Sequence, residues 1–191
     1  LISNTFLHGG WLHLIANMWT LWLFGSVLEE RLGAGRFIVL YLACGLIADF
    51  AHMASDLLSN IPALGASGAI AGIVGAFTLL YPKARIMLLT MILFFPITYS
   101  MSAFIYTGSW FAFQIFGGLV DLASPGQGGV AWWAHIGGLI AGLGLISVLG
   151  SAKSVRQIGE TPINSLGLSE MKLGATRLIG EQSPRRFKFG T

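Results

Sequence analysis

Residues 65–81 read GASGAIAGIVGAFTLLY, a run of small and apolar residues that carries Ser67 close to its start. Such a run predicts a membrane helix whose small side chains let neighbouring helices approach closely. A second apolar run begins near residue 130 and carries His135 close to its start. Polar and ionisable groups inside a bilayer are costly and usually serve a function. Ser67 and His135 are therefore the first candidates for a functional site.

The composition of the whole chain is typical of an integral membrane protein. Its 191 residues are 54% hydrophobic and only 10% charged, and its mean hydropathy is +0.74. These values argue against a water-soluble domain. The length predicts one membrane domain at residues 1–150 and a flexible basic tail at 151–191. Cys44 is the single cysteine, which excludes an internal disulfide and a cysteine-based metal site.

Segment lengths predict five membrane spans, because about 20 apolar residues cross a hydrocarbon core of roughly 30 Å. The apolar runs occupy residues 11–28, 37–54, 66–81, 104–120 and 130–149. Residues 86–120 are too long for one span and too short for two spans with a turn. Since Pro96 would break a helix, residues 86–97 are expected to form an interfacial or re-entrant segment. The predicted fold is an all-α polytopic helical bundle with five transmembrane helices and this segment.

Basic residues predict the orientation of the spans, because cytoplasmic loops carry an excess of lysine and arginine. All eleven lie in alternate loops or in the tail: Arg31, Arg36, Lys83, Arg85, Lys153, Arg156, Lys172, Arg177, Arg185, Arg186 and Lys188. If residues 86–120 crossed twice, the tail would emerge on the side opposite Lys83 and Arg85. We therefore expect a cytoplasmic C-terminus, with the first, third and fifth spans beginning on the non-cytoplasmic side.

This orientation places four polar side chains at one depth. His13 and Asn17 lie in the first turns of the first span, Ser67 begins the third, and His135 lies about one turn into the fifth. The spacing of His13 and Asn17 puts them on one helix face.

Small-xxx-small pairs follow the serine and the histidine in their spans. They are Gly68 with Gly72, and Gly138 with Gly142. Such pairs permit close helix contact. If the two glycine faces pack together, the serine and the histidine come toward hydrogen-bond reach.

With these motifs in this order, the sequence resembles the rhomboid family of intramembrane serine proteases. The family's GxSG motif matches Gly65 to Gly68, its AHxxG motif matches residues 134–138, and its HxxxN pair matches His13 and Asn17. His8 matches a further family histidine. The resemblance runs from about residue 8 to residue 149. Since the family core has six spans, the resemblance implies that the first family helix is missing and that the chain is N-terminally truncated.

The resemblance implies hydrolysis of peptide bonds in or beside the transmembrane helices of other proteins. Ser67 would be the nucleophile and His135 the general base, in a dyad without a carboxylate. The site would face the non-cytoplasmic side, with transmembrane proteins and the lipid bilayer as partners and with no nucleic acid, cofactor or metal. The remaining roles would be oxyanion donation by His13 and Asn17, and support by His8, Gly65, Gly68 and Gly138.

Two functions of other classes stay open. A non-proteolytic rhomboid-like protein that binds membrane clients typically lacks the serine or the histidine, and this chain has both. A small transporter or channel would be lined by His13, Asn17 and His135, but Asp49 is the one charged residue well inside the predicted spans. Some family members place an aromatic ring beneath the base, where this chain has Ala71. The sequence therefore leaves open how His135 is steadied, and it specifies neither the substrate nor the oligomeric state.

Overall fold

The computed structural model describes residues 3–55, 65–123 and 130–151. A 3₁₀ turn at Ser3–Phe6 precedes a continuous helical segment made of α1 (Trp11–Thr20), a π-helical turn (Leu21–Gly25) and α2 (Ser26–Leu32). The other helices are α3 (Ala34–Ser55), α4 (Ser67–Leu80), α5 (Ala103–Ala123) and α6 (Trp132–Ser151), and strands β1 (Arg85–Ile92) and β2 (Phe95–Ser102) lie between α4 and α5. Residues 152–191, where the tail is predicted, lie outside the described residues.

The helices confirm a multi-pass membrane protein. Four described segments are long and apolar enough to cross a membrane: Trp11–Leu32, Ala34–Ser55, Ala103–Ala123 and Trp132–Gly150. They correspond to the first, second, fourth and fifth predicted spans. The predicted third span is α4, an apolar helix of 14 residues that is shorter than a typical span. Residues 68–78 of α4 are all buried, so this short helix lies inside the bundle. The count of five spans stays a prediction.

The prediction of an all-α fold is wrong at residues 85–102. This part of the chain forms an antiparallel hairpin in which Arg85 pairs with Ser102 and Ile92 pairs with Phe95. Pro96 has no N–H and disfavours a helix, as the sequence indicated. Strand pairing gives the facing backbone groups of this segment hydrogen-bond partners without a helix.

Glycines bring α4 into backbone contact with α6. A Cβ atom built at Gly138 would overlap the carbonyl oxygen of Gly68, and one built at Gly142 would overlap that of Gly72. No larger residue could occupy these positions without moving the helices apart. The close contact predicted from the small-xxx-small pairs is therefore confirmed.

The α3 helix closes the other side of α4. The Cβ of Ala48 would lie 2.6 Å from a Cβ built at Gly68, and the thiol of Cys44 would overlap one built at Gly72. Leu28, Leu40, Ile73 and Ile146 fill the centre of the bundle and are almost completely buried. The helix that carries Ser67 is thus held on two sides by neighbours that leave it little room to shift.

We expect Gly142→Ala to lower the thermal stability of the purified protein in detergent. The new methyl group overlaps the Gly72 carbonyl, and overpacking of this kind typically costs about 1–3 kcal/mol. Gly144→Ala on the exposed side of the same helix is the matched control, because a Cβ there meets nothing within 4 Å. Its stability should be unchanged or higher, since alanine has the better helix propensity. Equal melting temperatures for the two variants would contradict the backbone contact.

Candidate active site

Ser67 and His135 meet at the N-terminal ends of α4 and α6. Nε2 of His135 lies 2.8 Å from Oγ of Ser67, which is hydrogen-bond distance. Ser67 is the first residue of α4, and His135 lies in the first turn of α6. The contact between Gly68 and Gly138, one residue beyond the serine and three beyond the histidine, allows this distance. The structure therefore brings together the two side chains that the sequence singled out.

The second ring nitrogen of His135 contacts a residue that the sequence analysis did not single out. Nδ1 lies 2.8 Å from Oε1 of Gln114 on α5, and Gln114 is only 3% exposed. Nε2 of Gln114 donates a hydrogen bond to the carbonyl oxygen of Trp110 at 3.4 Å. Because its amide nitrogen is used there, the Gln114 oxygen faces the imidazole and accepts from the Nδ1–H. The other imidazole nitrogen then has a free lone pair for the Ser67 hydroxyl proton.

An aromatic ring also packs on the imidazole. The ring of Trp110 lies 5.6 Å from that of His135, centroid to centroid, at an interplanar angle of 38°. The side chain at the position of Ala71, by contrast, is too small to support the base. Gln114 and Trp110 of α5 thus both contact the imidazole of His135.

Gly65 places the loop before α4 against α1. Its φ angle of +113° lies in a region that side chains rarely adopt. A Cβ built there would lie 2.8 Å from Cε1 of His13 and 3.4 Å from Nδ2 of Asn17. A glycine is therefore required both for the backbone conformation and for the close approach of these two side chains. His13 and Asn17 consequently lie beside the chain two residues before Ser67.

Asn17 carries an unused hydrogen-bond donor at this place. The residue is 7% exposed, and its Nδ2 atom has no hydrogen-bond partner within the described part of the chain. A buried donor without a partner is costly, so its presence beside the serine is informative. It is a donor that an incoming oxygen atom could use.

His8 lies behind His13. The two imidazole rings are 5.3 Å apart, centroid to centroid, in an edge-to-face arrangement. Nε2 of His8 is buried, and none of residues 3–55, 65–123 or 130–151 supplies it with a hydrogen-bond partner. His8 thus packs against His13 of α1.

A small pocket opens beside Ser67. Thr5, Gly45, Asp49, Gly65 and Ala131 are among the residues that line it together with the serine. Its volume is about that of one water molecule. Among the described residues, no cluster of three or more His, Cys, Asp or Glu side chains is arranged to hold a metal ion.

Comparison with known proteins gives one family match and several relatives. The family model described as "Rhomboid domain" matches residues 1–152. The chain is 32% identical to the mitochondrial Rhomboid protein 1 of Saccharomyces cerevisiae over 153 residues, which cover 75% of this chain and 39% of that protein. It is also 32% identical to the Rhomboid protease GluP of Bacillus subtilis over 154 residues, 81% of this chain and 26% of that protein. RHOMBOID-like protein 5 of Arabidopsis thaliana is 42% identical over 76 residues, 40% of this chain and 25% of that protein. The chain thus spans less than half the length of each of these relatives.

Proposed function

The chain belongs to the rhomboid family, and on that premise we propose that it is a serine endopeptidase that cleaves membrane-spanning segments of other proteins. The observation that carries the proposal is the 2.8 Å contact between Oγ of Ser67 and Nε2 of His135. The second imidazole nitrogen is occupied by Gln114, so the nitrogen facing the serine is the one able to accept a proton. A nucleophile in hydrogen-bond contact with an oriented base is the arrangement that acyl transfer needs.

The reaction follows from this geometry. As Oγ of Ser67 attacks the scissile carbonyl, Nε2 of His135 takes the hydroxyl proton, and the carbonyl electron pair moves to the oxygen. The tetrahedral intermediate collapses when the imidazolium returns the proton to the leaving amine. A water molecule, deprotonated by the same imidazole, then attacks the acyl carbon. The bond to Oγ of Ser67 breaks, the imidazolium returns the proton to Oγ, and the second product leaves with a carboxyl group.

Three donors are proposed to stabilise the oxyanion: the backbone N–H of Ser67 and the side chains of His13 and Asn17. Such donors act most strongly where water is excluded and where they are already in place before the reaction. The buried, unpartnered Nδ2 of Asn17 supports this role, because the developing negative charge would supply the missing partner. The N-terminus of α4 adds partial positive charge at the same place.

We propose that the chain crosses the membrane five times, with α4 as the third crossing and the site on the non-cytoplasmic side. The β1–β2 hairpin would then lie at the cytoplasmic interface, and the tail would be cytoplasmic. Lys83 and Arg85 at the base of the hairpin support this orientation. The exposed side chains of Met87 and Phe94 suit the apolar surroundings of an interfacial segment.

A substrate helix must unwind before its carbonyl carbon can reach Ser67, because helical hydrogen bonds occupy its backbone groups. Segments with helix-destabilising residues near the cut are therefore the proposed substrate class. A rhomboid-like protein that only binds clients needs neither the bonded serine and histidine nor an unused donor beside them. The geometry thus favours hydrolysis over client binding alone.

Ser67→Ala and His135→Ala should each abolish cleavage of a model transmembrane substrate by the full-length protein in liposomes. The first removes the nucleophile and the second removes the base that activates it. Ser109→Ala is the matched control, because this exposed hydroxyl bonds only to the Tyr106 carbonyl of its own helix. Product bands on a gel measure the rate. Cleavage by the Ser67→Ala protein would rule out the proposed nucleophile.

Asn17→Ala and His13→Ala should reduce kcat while leaving measurable cleavage. Loss of one oxyanion donor typically costs about 10²- to 10³-fold in rate, and the Ser67 backbone N–H remains in both variants. The double variant should fall further without strict additivity, since both side chains serve one charge. Thr20→Ala is the control on the same helix, because its hydroxyl bonds to the Ala16 carbonyl. Wild-type kcat in either variant would remove that residue from the oxyanion site.

The orientation is tested with single cysteines introduced at Gly10 and Lys83 in a Cys44→Ser background. Both positions are exposed. A membrane-impermeant thiol reagent added to intact cells should label the cysteine at position 10, while position 83 should react only after permeabilisation. The opposite labelling pattern would show that the site faces the cytoplasm.

A further inference from the structure

We infer that Gln114 is a positioning residue that fixes the tautomer and the orientation of His135. The catalytic meaning of this inference rests on the proposed function, whereas the geometry behind it does not. The imidazole has a hydrogen-bond partner on each nitrogen: Ser67 on one and Gln114 on the other, each at 2.8 Å. The neutral amide occupies the place that a carboxylate takes in serine hydrolases with a Ser-His-Asp triad.

The position of Gln114 on the buried face of α5 points its side chain toward the imidazole of His135. The buried residues of this helix are Ala103, Thr107, Gln114 and Gly118. Their spacing of four, seven and four places them on one stripe, which faces the bundle. Large apolar side chains on the remaining surface, such as Phe113 and Phe116, are exposed. Gln114 is thus the buried polar residue of α5 that lies beside His135.

Both ends of the Gln114 amide are used. The amide nitrogen donates to the Trp110 carbonyl one turn earlier, and the oxygen is left for the imidazole. If the amide were turned over, its NH₂ group would face the Nδ1–H, and the carbonyl oxygen of Trp110 would face another oxygen. The backbone of α5 therefore determines which atom of the amide faces His135.

The tautomer decides whether the serine can be activated. With the proton held on Nδ1 by Gln114, Nε2 carries a lone pair and can accept the Ser67 proton. If the proton were on Nε2 instead, the imidazole would donate to the serine oxygen and could not deprotonate it. Gln114 therefore excludes an inactive arrangement of the same two side chains.

An amide suits this place better than a carboxylate does. A carboxylate in a largely buried, lipid-surrounded site has a high desolvation cost. The neutral amide oxygen accepts the same hydrogen bond without that cost. It also directs the negative end of its dipole at the imidazolium that forms during the reaction.

Two glycines allow α5 to come close enough for this hydrogen bond. A Cβ built at Gly117 would lie 2.6 Å from the ring of Trp132, and one built at Gly118 would lie 3.2 Å from the ring of Trp133. Both tryptophans belong to the first turn of α6, which also carries His135. The contact between α5 and the first turn of α6 thus sets the distance from Gln114 to the base.

Three variants separate positioning from packing. Gln114→Met keeps the length of the side chain but removes the acceptor, Gln114→Glu keeps an acceptor oxygen, and Thr107→Val removes the 2.7 Å hydrogen bond to Thr78 on the same stripe of α5. We expect Gln114→Met to lower kcat between about 10- and 100-fold with KM changed less than about twofold. Gln114→Glu, protonated in this buried site, keeps an oxygen acceptor for the Nδ1–H and an O–H donor for the Trp110 carbonyl. It should therefore retain most of the wild-type rate, and Thr107→Val should match wild type.

A spectroscopic measurement tests the inference without relying on cleavage. In protein with ¹⁵N-labelled histidine, His135 is assigned by comparison with His135→Asn. The wild-type spectrum should show its proton on Nδ1 and none on Nε2, and Gln114→Met should show a mixture of both tautomers.

The two measurements distinguish the possible failures. If the wild-type protein did not cleave the substrate but Gln114→Met showed the predicted mixture of tautomers, the proposed function would be contradicted and the positioning role would be supported. Wild-type kcat and an unchanged tautomer in Gln114→Met would overturn the positioning role. If Gln114→Met and Thr107→Val lost kcat equally and the tautomer were again unchanged, Gln114 would be a packing residue. The positioning role would then be overturned as well.

Discussion

The backbone contact between α4 and α6 is the constraint on which the site depends. Ser67 and His135 are separated by 68 positions in the chain, yet their side chains are hydrogen bonded. A side chain at Gly138 or Gly142 would force the helices apart, and a separation of one ångström already breaks a hydrogen bond of 2.8 Å. In a bilayer, where apolar burial gives helices little reason to associate, close packing of small residues supplies the attraction. The glycines therefore hold the bundle together and set the geometry of the site.

The polar groups of the site form a connected chain inside an apolar bundle. Ser67 bonds to His135, His135 to Gln114, and Gln114 to the Trp110 carbonyl. A buried polar group is tolerated when it has a partner, and each of these groups has one. Nδ2 of Asn17 and Nε2 of His8 differ, because no described residue supplies either atom with a hydrogen-bond partner. In the proposed mechanism, the free donor of Asn17 stabilises the transient negative charge.

Sequence alone predicted the parts of the site that follow from local pattern. The equal depth of His13, Asn17, Ser67 and His135 followed from span order and basic loops, and the glycine contact followed from residue spacing. Gln114 was missed because it lies in no matched motif, although a lone amide near the middle of the apolar α5 was a usable signal. The hairpin at residues 85–102 was missed because pairing between strands is not visible in the hydropathy of an all-apolar segment, even though Pro96 correctly excluded a helix. The bounds of α4, residues 67–80, agree with the predicted span at residues 66–81 to within one residue at each end.

The proposed function requires that His135 make Ser67 a nucleophile. Its most direct test is to treat the purified protein with a serine-reactive fluorophosphonate and to locate the adduct by peptide mass spectrometry. We expect phosphonylation at Ser67 in the wild-type protein, and none there within the same time when His135 is replaced by alanine. An adduct on a different serine, or labelling of Ser67 at the same rate without His135, would contradict it.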